Sequence, residues 1–307
     1  MARARRRRGR SIDGIVVLDK LKGMSSNAAL QSVKRIFDAN KAGHTGSLDP
    51  LATGVLPLCL GEATKVSQYL LDSNKRYQAR VKLGVRTDSG DAEGTVISSC
   101  DDVEVSLAQV EQLLSRFKGE IEQLPPMYSA LKVNGVPLYK MARKGLTVER
   151  ERRVVTVFSI DLLGFDQPFI DLEIFCSKGT YIRTIADDIG EALGCGAHII
   201  ELRRLQAGSF DLEESITLEQ LESRKQQFGL EAIDELLIDA DRAVEDLPEV
   251  ILPAISASCI RQGQPVLAQH LPADGLVRLY EEEQFIGIGS IEDDGRVAPR
   301  RLLVNKR

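Results

Sequence analysis

Residues 76–85, RYQARVKLGV, alternate between polar and apolar side chains, and this pattern constrains the fold more than any other segment. A period of two places successive side chains on opposite faces of a strand. One face would carry five apolar residues: Tyr77, Ala79, Val81, Leu83 and Val85. The other would carry Arg76, Gln78, Arg80 and Lys82. The pattern predicts a half-buried strand with a basic solvent face, and therefore a sheet.

The rest of the chain mixes helical and strand periodicities without a regular βαβ rhythm. Helical spacing is found at residues 26–38, 62–71, 106–118, 138–144, 180–193 and about 217–246. Strands are predicted at residues 15–18, 154–162 and 169–176, and Asn134-Gly135 is typical of a hairpin turn. This mixture indicates an α+β fold with a mixed sheet rather than a doubly wound one.

The two ends of the chain differ from its middle. The first ten residues, MARARRRRGR, contain six arginines and no apolar run, so they do not form a secretory signal. From Pro253 onward, short strands are separated by Gly and Asp turns. We therefore expect a basic, disordered tail at residues 1–10, a main domain at residues 11–250 and a small β-rich domain at residues 251–307.

Composition and charge exclude several classes of protein. No run of 18 or more apolar residues is present, so we expect no membrane span and a cytoplasmic location. The net charge is −5, yet the basic residues are clustered, and a local cluster can bind phosphate groups. Besides the tail, the clusters are Lys140, Arg143 and Lys144, then Arg150, Arg152 and Arg153, then Arg203 and Arg204, then Arg300 and Arg301. Solvated charged faces are the alternative interpretation.

Cysteine and histidine show no metal-binding spacing. The five cysteines are scattered without a CxxC pair, and the three histidines lie far apart. This pattern predicts reduced thiols and neither a disulfide framework nor a zinc site.

The loop at residues 42–57, AGHTGSLDPLATGVLP, contains one acid, Asp49. Pro50 restricts the backbone of Asp49 to extended conformations, and the glycines allow sharp turns and close approach of another molecule. A lone carboxylate on such a frame could be a nucleophile. The same residues are also typical of a structural turn, so the loop alone leaves both interpretations open.

Several segments together resemble one family. They are GIVVLDKLKGMSSN (14–27), AGHTGSLDPLATGVLPLCLGEATK (42–65), KRYQARVKLG (75–84), PPMYSALKVNG (125–135), CSKGTYIRTIADDIGEALGCGAH (176–198) and FIGIGSIEDDGRVAPRRLLV (285–304). These segments are similar to the TruB family of bacterial tRNA pseudouridine synthases. The resemblance runs from about Gly14 to Arg204, weakens, and returns near the C-terminus; Ser47 stands where relatives differ among small residues.

The resemblance implies a fold, a substrate and an activity. The fold is the pseudouridine synthase catalytic fold, a mixed, mainly antiparallel sheet flanked by helices, followed by a small PUA-like RNA-binding domain. The activity is isomerisation of uridine-55 in the T-loop of tRNA to pseudouridine. The partner is then the T-arm of tRNA, with no membrane and no obligate protein partner, and a monomer is expected.

The resemblance also assigns residues. Asp49 matches the essential catalytic aspartate, and Arg183 matches the arginine that pairs with it. Residues at positions that bind the target nucleotide are His44, Tyr77, Tyr181 and Leu202. Lys20 is expected to steady the site.

The chemistry of the reaction agrees with a single carboxylate. A C1′–N1 bond breaks and a C1′–C5 bond forms, so no metal or other cofactor is expected. Asp49 would act at the sugar, either by covalent attack or by accepting the C2′ proton, and both routes need its ionised form. Arg183 nearby would favour that form. The alternative for Arg183 is a helical pair with Asp187.

The other site residues also have structural alternatives. Tyr77 would stack on the flipped uracil and help to remove the C5 proton, or it is simply a core tyrosine. His44 would fill the gap left by the base or touch a phosphate, or it caps a turn. Tyr181 would donate a hydrogen bond or pack at a helix start, Leu202 is most simply core, and Lys20 is by default solvated.

Three hypotheses about function follow. The first is the tRNA-modifying enzyme, and assistance to tRNA folding is compatible with it. The second is a non-catalytic RNA binder on the same fold, and the third is a related enzyme that acts on another RNA with partner proteins. Asp49, Tyr77 and Arg183 together favour the enzyme. The basic face of residues 76–82, the segment 140–153 and the arginine tail are candidate phosphate contacts.

Overall fold

The computed structural model of the chain describes residues 9–304. The tail predicted at residues 1–10 therefore lies outside the described residues, except for Gly9 and Arg10. Arg10 is held in place, because its guanidinium pairs with Asp234 at 2.8 Å and donates to the carbonyl of Phe37. Arg10 is therefore fixed beside the residue that follows the first helix.

Strands occur along the whole of the described chain. They are β1 (Gly14–Lys20), β2 (Ala42–His44), β3 (Thr53–Leu60), β4 (Lys75–Leu83), β5 (Val85–Thr87), β6 (Val96–Ser99), β7 (Gly119–Gln123), β8 (Lys132–Val133), β9 (Val136–Pro137), β10 (Arg153–Asp166), β11 (Phe169–Cys176), β12 (Ala197–Ala207), β13 (Phe210–Asp211), β14 (Glu249–Leu252), β15 (Leu276–Glu281), β16 (Gln284–Ile291) and β17 (Val297–Leu302).

The helices flank these strands. They are α1 (Ser26–Ile36), α2 (Ser67–Asp72), α3 (Leu107–Leu114), α4 (Leu138–Ala142), α5 (Ile182–Ala192), α6 (Leu218–Asp234) and α7 (Ala254–Arg261). Short 3₁₀ turns occur at Gly61–Lys65, Ser115–Phe117 and Ala240–Val244. Within the described residues, no helix is long and apolar enough to cross a bilayer.

The main sheet has the strand order β1-β3-β12-β4-β11-β10-β7, with β2 beside β3 and β13 beside β12. Only the pair of β3 and β12 is parallel; the other neighbours are antiparallel. The predicted mixed, mainly antiparallel α+β fold is therefore confirmed. β4, the strand predicted from alternation, lies near the middle of this sheet.

Local sequence explains where the helices begin. Ser25 caps α1 by accepting a hydrogen bond from the backbone of Ala28. Ser106 with Gln109 forms a capping box at the start of α3. The apolar stripes of α1, α3 and α5 pack on one face of the sheet and close the main core.

Two central strands were not predicted. β3 is buried on both faces, because Val55 and Cys59 lie in a second core while Leu56 and Leu58 lie in the main one, so it lacks alternation. β12 alternates poorly because its pairing with β4 shifts register twice, after Ile199 and after Arg204. Without alternation, neither segment carried a strand signal.

Two predicted helices are shorter than expected. Residues 62–71 split into a 3₁₀ turn and α2, and the stretch from 217 to 246 is interrupted. Gly229 breaks α6 internally with φ +86°, a left-handed conformation that favours glycine. A 3₁₀ turn at Ala240–Val244 then ends the helical region.

The C-terminal part forms its own four-stranded sheet, in the order β14-β15-β16-β17. This sheet begins at Glu249, so β14 crosses the expected domain boundary at residue 250. The unit packs on the main domain: Lys65 donates to the carbonyl of Leu302 at 2.8 Å, and Tyr280 donates to Asp241 at 2.6 Å. The β-rich C-terminal unit is therefore docked on the main sheet.

Candidate active site

Asp49 lies in the loop between β2 and β3, and its neighbours are tightly held. Ser26 accepts from the backbone N–H of Leu48 at 2.7 Å and donates to the carbonyl of Leu48 at 3.0 Å. On the other side, the N–H of Gly23 donates to the carbonyl of Pro50 at 2.8 Å. The loop is therefore a rigid bend, as the turn interpretation expected, and it presents Asp49 on a fixed backbone.

Lys20, at the end of β1, is completely buried and is not a solvated lysine. Its ammonium donates to the carbonyls of Leu21 at 2.9 Å, Met24 at 2.7 Å and Pro50 at 3.4 Å. Burial lowers the pKa of Lys20 to about 8, and the nearby charge of Asp49 opposes this change. Lys20 thus ties the end of β1 to the loop that carries Asp49.

Asp49 forms an ion pair with Arg183 of α5. The distance from Nε of Arg183 to Oδ2 of Asp49 is 2.9 Å, with 6% of the arginine side chain and 40% of the aspartate side chain exposed. The alternative partner of Arg183, Asp187, instead accepts from Arg86 at 2.7 Å. The site therefore contains a buried cation with a half-exposed carboxylate in front of it.

Arg183 is held on its other edges as well. Nη1 donates to the carbonyl of Ser89 at 2.8 Å and lies 3.5 Å from Oδ2 of Asp91, and Nη2 donates to the carbonyl of Tyr128 at 2.7 Å. These contacts come from two different loops. They fix the plane of the guanidinium and hence the direction in which it meets Asp49.

Asp91 is a residue that the sequence interpretation did not single out. It is buried, accepts from the Ser89 hydroxyl at 2.6 Å and accepts from the N–H of Glu93 at 3.1 Å. Asp91 stands between Asp88 and Glu93, so it lacks the isolation that drew attention to Asp49. The contact of Asp91 with Arg183 could not be inferred from the sequence, because the two residues are far apart along the chain.

Several charges act on Asp49. Burial raises the pKa of the Asp49 carboxyl, Asp91 adds to this rise, and Arg183 and Lys20 lower it. Arg183 therefore acts in the expected direction. The net pKa is nevertheless above the usual value, because burial outweighs the two cations.

Tyr77 lies on β4 directly between Ile174 of β11 and Arg204 of β12. It is half-buried and packs against the main core, so the core interpretation is correct in part. Burial raises the pKa of its phenol, Arg204 opposes this, and the charge of Asp49 adds to the rise. Tyr77 is therefore within electrostatic reach of Asp49.

Tyr181 stands immediately before α5. Its backbone N–H donates to the side chain of Gln123 at 3.0 Å, and its carbonyl accepts from the same amide at 3.2 Å. Gln123 is buried and was not singled out from the sequence. Burial raises the pKa of the Tyr181 phenol, and the charges of Arg183 and Asp49 also act on it. Tyr181 therefore belongs to the same cluster.

His44 and Leu202 lie at the margin of this cluster. His44 ends β2, and burial lowers the pKa of its imidazole, so the ring is neutral near pH 7 and offers no full positive charge to a phosphate. Leu202 is buried opposite Ala79 of β4, on the face that also carries Tyr77. Its side chain is thus part of the core beside the site.

Two of the three basic residues on the face of residues 76–82 are already paired with carboxylates. Arg76 pairs with Glu173 at 2.7 Å and stacks over Phe175, and Arg80 lies 3.6 Å from Asp171. This face also points away from Tyr77, because the two alternate along β4. The segment is therefore a poor candidate for phosphate contacts.

The basic residues between 140 and 153 are different. Within residues 9–304, none of them forms an ion pair with a carboxylate; they are Lys140, Arg143, Lys144, Arg150, Arg152 and Arg153. Most are exposed, and the charge of Arg153 acts on the phenol of Tyr181. An unneutralised basic surface therefore adjoins the Asp49 cluster.

No group of three or more His, Cys, Asp or Glu side chains that could hold a metal ion occurs in the part of the chain that the structure describes.

Three family models match successive parts of the chain. "TruB family pseudouridylate synthase (N terminal domain)" matches residues 34–182. "tRNA pseudouridylate synthase B C-terminal domain" matches residues 183–245, and "Pseudouridine synthase II TruB, C-terminal" matches residues 248–303.

Curated relatives agree with these matches over nearly the full length. The tRNA pseudouridine synthase B of Serratia proteamaculans (strain 568) is 53% identical over 307 residues, which cover 97% of this chain and 98% of that protein. The tRNA pseudouridine synthase B of Yersinia pestis (strain Pestoides F) is 54% identical over 308 residues, covering 97% and 94%.

Solved structures share the fold. A chain in the structure of an H/ACA RNP bound to a substrate RNA containing 2'-deoxyuridine matches with a TM-score of 0.74 at 25% identity, over 95% of this chain and 85% of that one. A chain in the crystal structure of a Cbf5-Nop10-Gar1 complex matches with a TM-score of 0.73 at 28% identity, over 95% and 84%. The family that the sequence motifs resemble is confirmed: the chain belongs to the TruB family of pseudouridylate synthases and is an isomerase.

Proposed function

We propose that this protein converts uridine-55 in the T-loop of tRNA to pseudouridine, with Asp49 acting on the ribose of the target nucleotide. The observation that carries the proposal is the ion pair between half-exposed Asp49 and buried Arg183, with Tyr77 and Tyr181 in electrostatic reach. The relatives named tRNA pseudouridine synthase B support tRNA as the substrate.

The arrangement of carboxylates favours isomerisation over hydrolysis. A glycoside hydrolase uses two carboxyl groups that both reach the scissile bond. Asp91 is the second acid of this site, but it is buried behind Arg183 and engaged by Ser89. This difference supports Asp49 as the carboxylate that acts on the sugar, by covalent attack at C1′ or by accepting the C2′ proton.

The target base has to leave the T-loop to reach Asp49. Enzymes that act on a base extrude it from its stack and hold it by stacking and hydrogen bonds. Tyr77 is the aromatic side chain on the site face of β4 and would stack on the uracil. Tyr181, His44 and Leu202 would line the nucleotide's surroundings, and Lys20 would keep the Asp49 loop in place.

RNA binding outside the pocket would use the unneutralised basic residues of the segment 140–153 and the C-terminal unit. The phosphate backbone supplies much of the affinity of such interfaces. We assign catalysis to residues 11–250 and an RNA-binding, PUA-like role to residues 251–307. The protein would act in the cytoplasm as a monomer, without a cofactor or an obligate protein partner.

An unmodified tRNA transcript that carries 5-tritiated uridine tests this function. Formation of the C1′–C5 bond frees the C5 hydrogen, so the wild-type protein should release tritium into water. Mapping should then find pseudouridine at position 55, and a transcript with cytidine at that position should lack it. No release by the wild type, or pseudouridine only elsewhere, would contradict the proposal.

The arginine tail should contribute to affinity through phosphate contacts. We expect deletion of residues 1–8, which spares the Arg10 anchor, to weaken tRNA binding and to flatten its salt dependence. Each lost phosphate contact should reduce the slope of log K against log salt by about 0.7–0.9. Binding measured over a salt series checks this, with a variant in which the five arginines of the deleted segment become glutamines as a control for length. An unchanged slope in both variants would show that the tail does not touch RNA.

A further inference from the structure

Arg204 of β12 is a buried cation that has no carboxylate partner. Only 1% of the residue is exposed, and within residues 9–304 it forms no ion pair. Nε donates to the carbonyl of Val55 at 2.7 Å, whereas Nη2 is buried without a hydrogen-bond partner. Buried charges in proteins are normally paired, so this guanidinium calls for an explanation.

The groups around Arg204 do not compensate its charge. Its charge contributes to lowering the pKa values of Lys20, His44 and Lys75, which shows that it lies close to other basic groups. A hydrogen bond to one carbonyl of β3 does not require a full positive charge. The hydrogen bond from Arg204 to β3 therefore does not explain why a charged residue is buried at this position.

The position of Arg204 points to Tyr77. The two residues are directly opposite each other in the antiparallel pairing of β12 with β4, so their side chains stand on the same face of the sheet. The backbone at Arg204 is closely packed, because a Cβ on Gly54 of β3 would lie 2.2 Å from the Arg204 carbonyl oxygen. Arg204 thus flanks Tyr77 from a rigid strand.

The positive charge of Arg204 lowers the pKa of the Tyr77 phenol. Burial and the charge of Asp49 act in the opposite direction. Without Arg204, no positive charge on the face of β12 next to Tyr77 would stabilise a negative charge on the Tyr77 phenol oxygen.

We propose that Arg204 is a positioning residue for the last step of the reaction, acting through Tyr77, whose phenol oxygen it orients and stabilises as the acceptor of the C5 proton. This inference rests on the proposed pseudouridine synthase function. In the step, the C5–H bond breaks and its electron pair restores the C5–C6 double bond, while the π pair of the C6–N1 double bond moves onto N1. The proton passes to the Tyr77 phenolate, which has lost its own proton to water, and N1 takes a proton from solvent.

Direct binding of an RNA phosphate by Arg204 is disfavoured by its burial. A phosphate contact would also be visible in binding, because losing it would weaken the tRNA complex and lower the salt slope. A positioning role instead leaves the dissociation constant near that of the wild type and changes the chemical step. The two roles therefore separate in one set of measurements.

The test compares tRNA transcripts with hydrogen or deuterium at C5 of uridine, under single-turnover conditions with full-length protein. We expect Arg204→Met to slow pseudouridine formation by on the order of tenfold to a hundredfold, within what a general base contributes. Deuterium should slow the variant further, because C5 deprotonation then limits the rate. The rate of the variant should rise with pH as more phenolate forms, and Arg204→Lys, which keeps a charge, should lie between the two.

A double-mutant cycle with Tyr77→Phe completes the test. If Arg204 acts through Tyr77, Arg204→Met should add little loss in the Tyr77→Phe background, whichever step limits the wild type. Arg203→Met is the matched control on the opposite face of β12, where Arg203 pairs with Asp19 at 2.7 Å, and it should show no such coupling. If Arg204→Met fails to fold, Arg204→Lys carries the same comparison.

Additive losses, a weakened salt slope or a wild-type rate in the Arg204 variants would overturn the inference. Absence of pseudouridine with the wild type would instead refute the proposed function, so the two failures are distinguishable.

Discussion

Replacing Asp49 with asparagine is expected to abolish tritium release and pseudouridine formation, with a loss of at least about 10⁴-fold, as for other enzymes that lose a nucleophile or base. The amide has nearly the shape of the carboxylate, and its oxygen can still accept from Nε of Arg183, which lies 2.9 Å from Oδ2 in the wild type. It can neither attack C1′ nor accept the C2′ proton. The measurement is the single-turnover rate on tritiated tRNA.

Binding and stability separate this loss from misfolding. The dissociation constant for tRNA should stay near the wild-type value or fall, since a negative charge is removed from the RNA site. Asp72→Asn makes the same chemical change at an exposed residue paired with Lys178, and it should leave the rate unchanged. Full activity of Asp49→Asn would refute the assignment of Asp49.

The parts of the fold that sequence predicted are those where one local rule dominates. The alternation of residues 76–85 predicted β4, and Asn134 and Gly135 do form the turn between β8 and β9, with φ of +51° and +80°. β3 and β12 were missed because burial on both faces or register shifts remove the alternation. β3 and β12 form the parallel pair of the main sheet. The local pattern therefore failed for strands whose burial and register depend on residues distant in sequence.

The candidate site shows a similar division. The loop sequence alone left a turn and a nucleophile both open at Asp49, and the structure shows the rigid bend while adding the ion pair to Arg183. Asp91 and Gln123 were not singled out, and Arg204 was noted only as part of a basic cluster, because their importance comes from partners distant in sequence. A carboxylate, an amide and a guanidinium look ordinary in a sequence until their burial and their neighbours are known.

The pH dependence of variants at Arg183 should show what this arginine does for Asp49. Arg183 lowers the pKa of the Asp49 carboxyl against burial, and the net value is still raised. Removing the cation in Arg183→Met should raise that pKa further. Because the reaction needs the ionised carboxylate, activity should be lost first at acidic pH, and the acidic limb of the rate profile should move to higher pH.

The geometry of the guanidinium should matter in addition to its charge. Arg183 serves Asp49, Asp91 and the carbonyls of Ser89 and Tyr128 at once, which the single ammonium of a lysine cannot do. We therefore expect Arg183→Lys to shift the acidic limb less than Arg183→Met. Both variants should lose about 10²–10³-fold at the plateau, where Asp49 is ionised, because the aspartate is no longer oriented.

A stability control distinguishes catalysis from folding. Arg183→Met leaves Asp91 buried without its cation, which should cost about 3–5 kcal/mol of unfolding free energy. Adding Asp91→Asn removes that buried charge, so the double variant should regain much of the stability measured by denaturant unfolding. It should not regain activity, since Asp49 still lacks its partner. If the double variant recovered the wild-type rate, or if Arg183→Met kept the wild-type pH profile, Arg183 would be a structural residue and the pairing with Asp49 would have no part in catalysis.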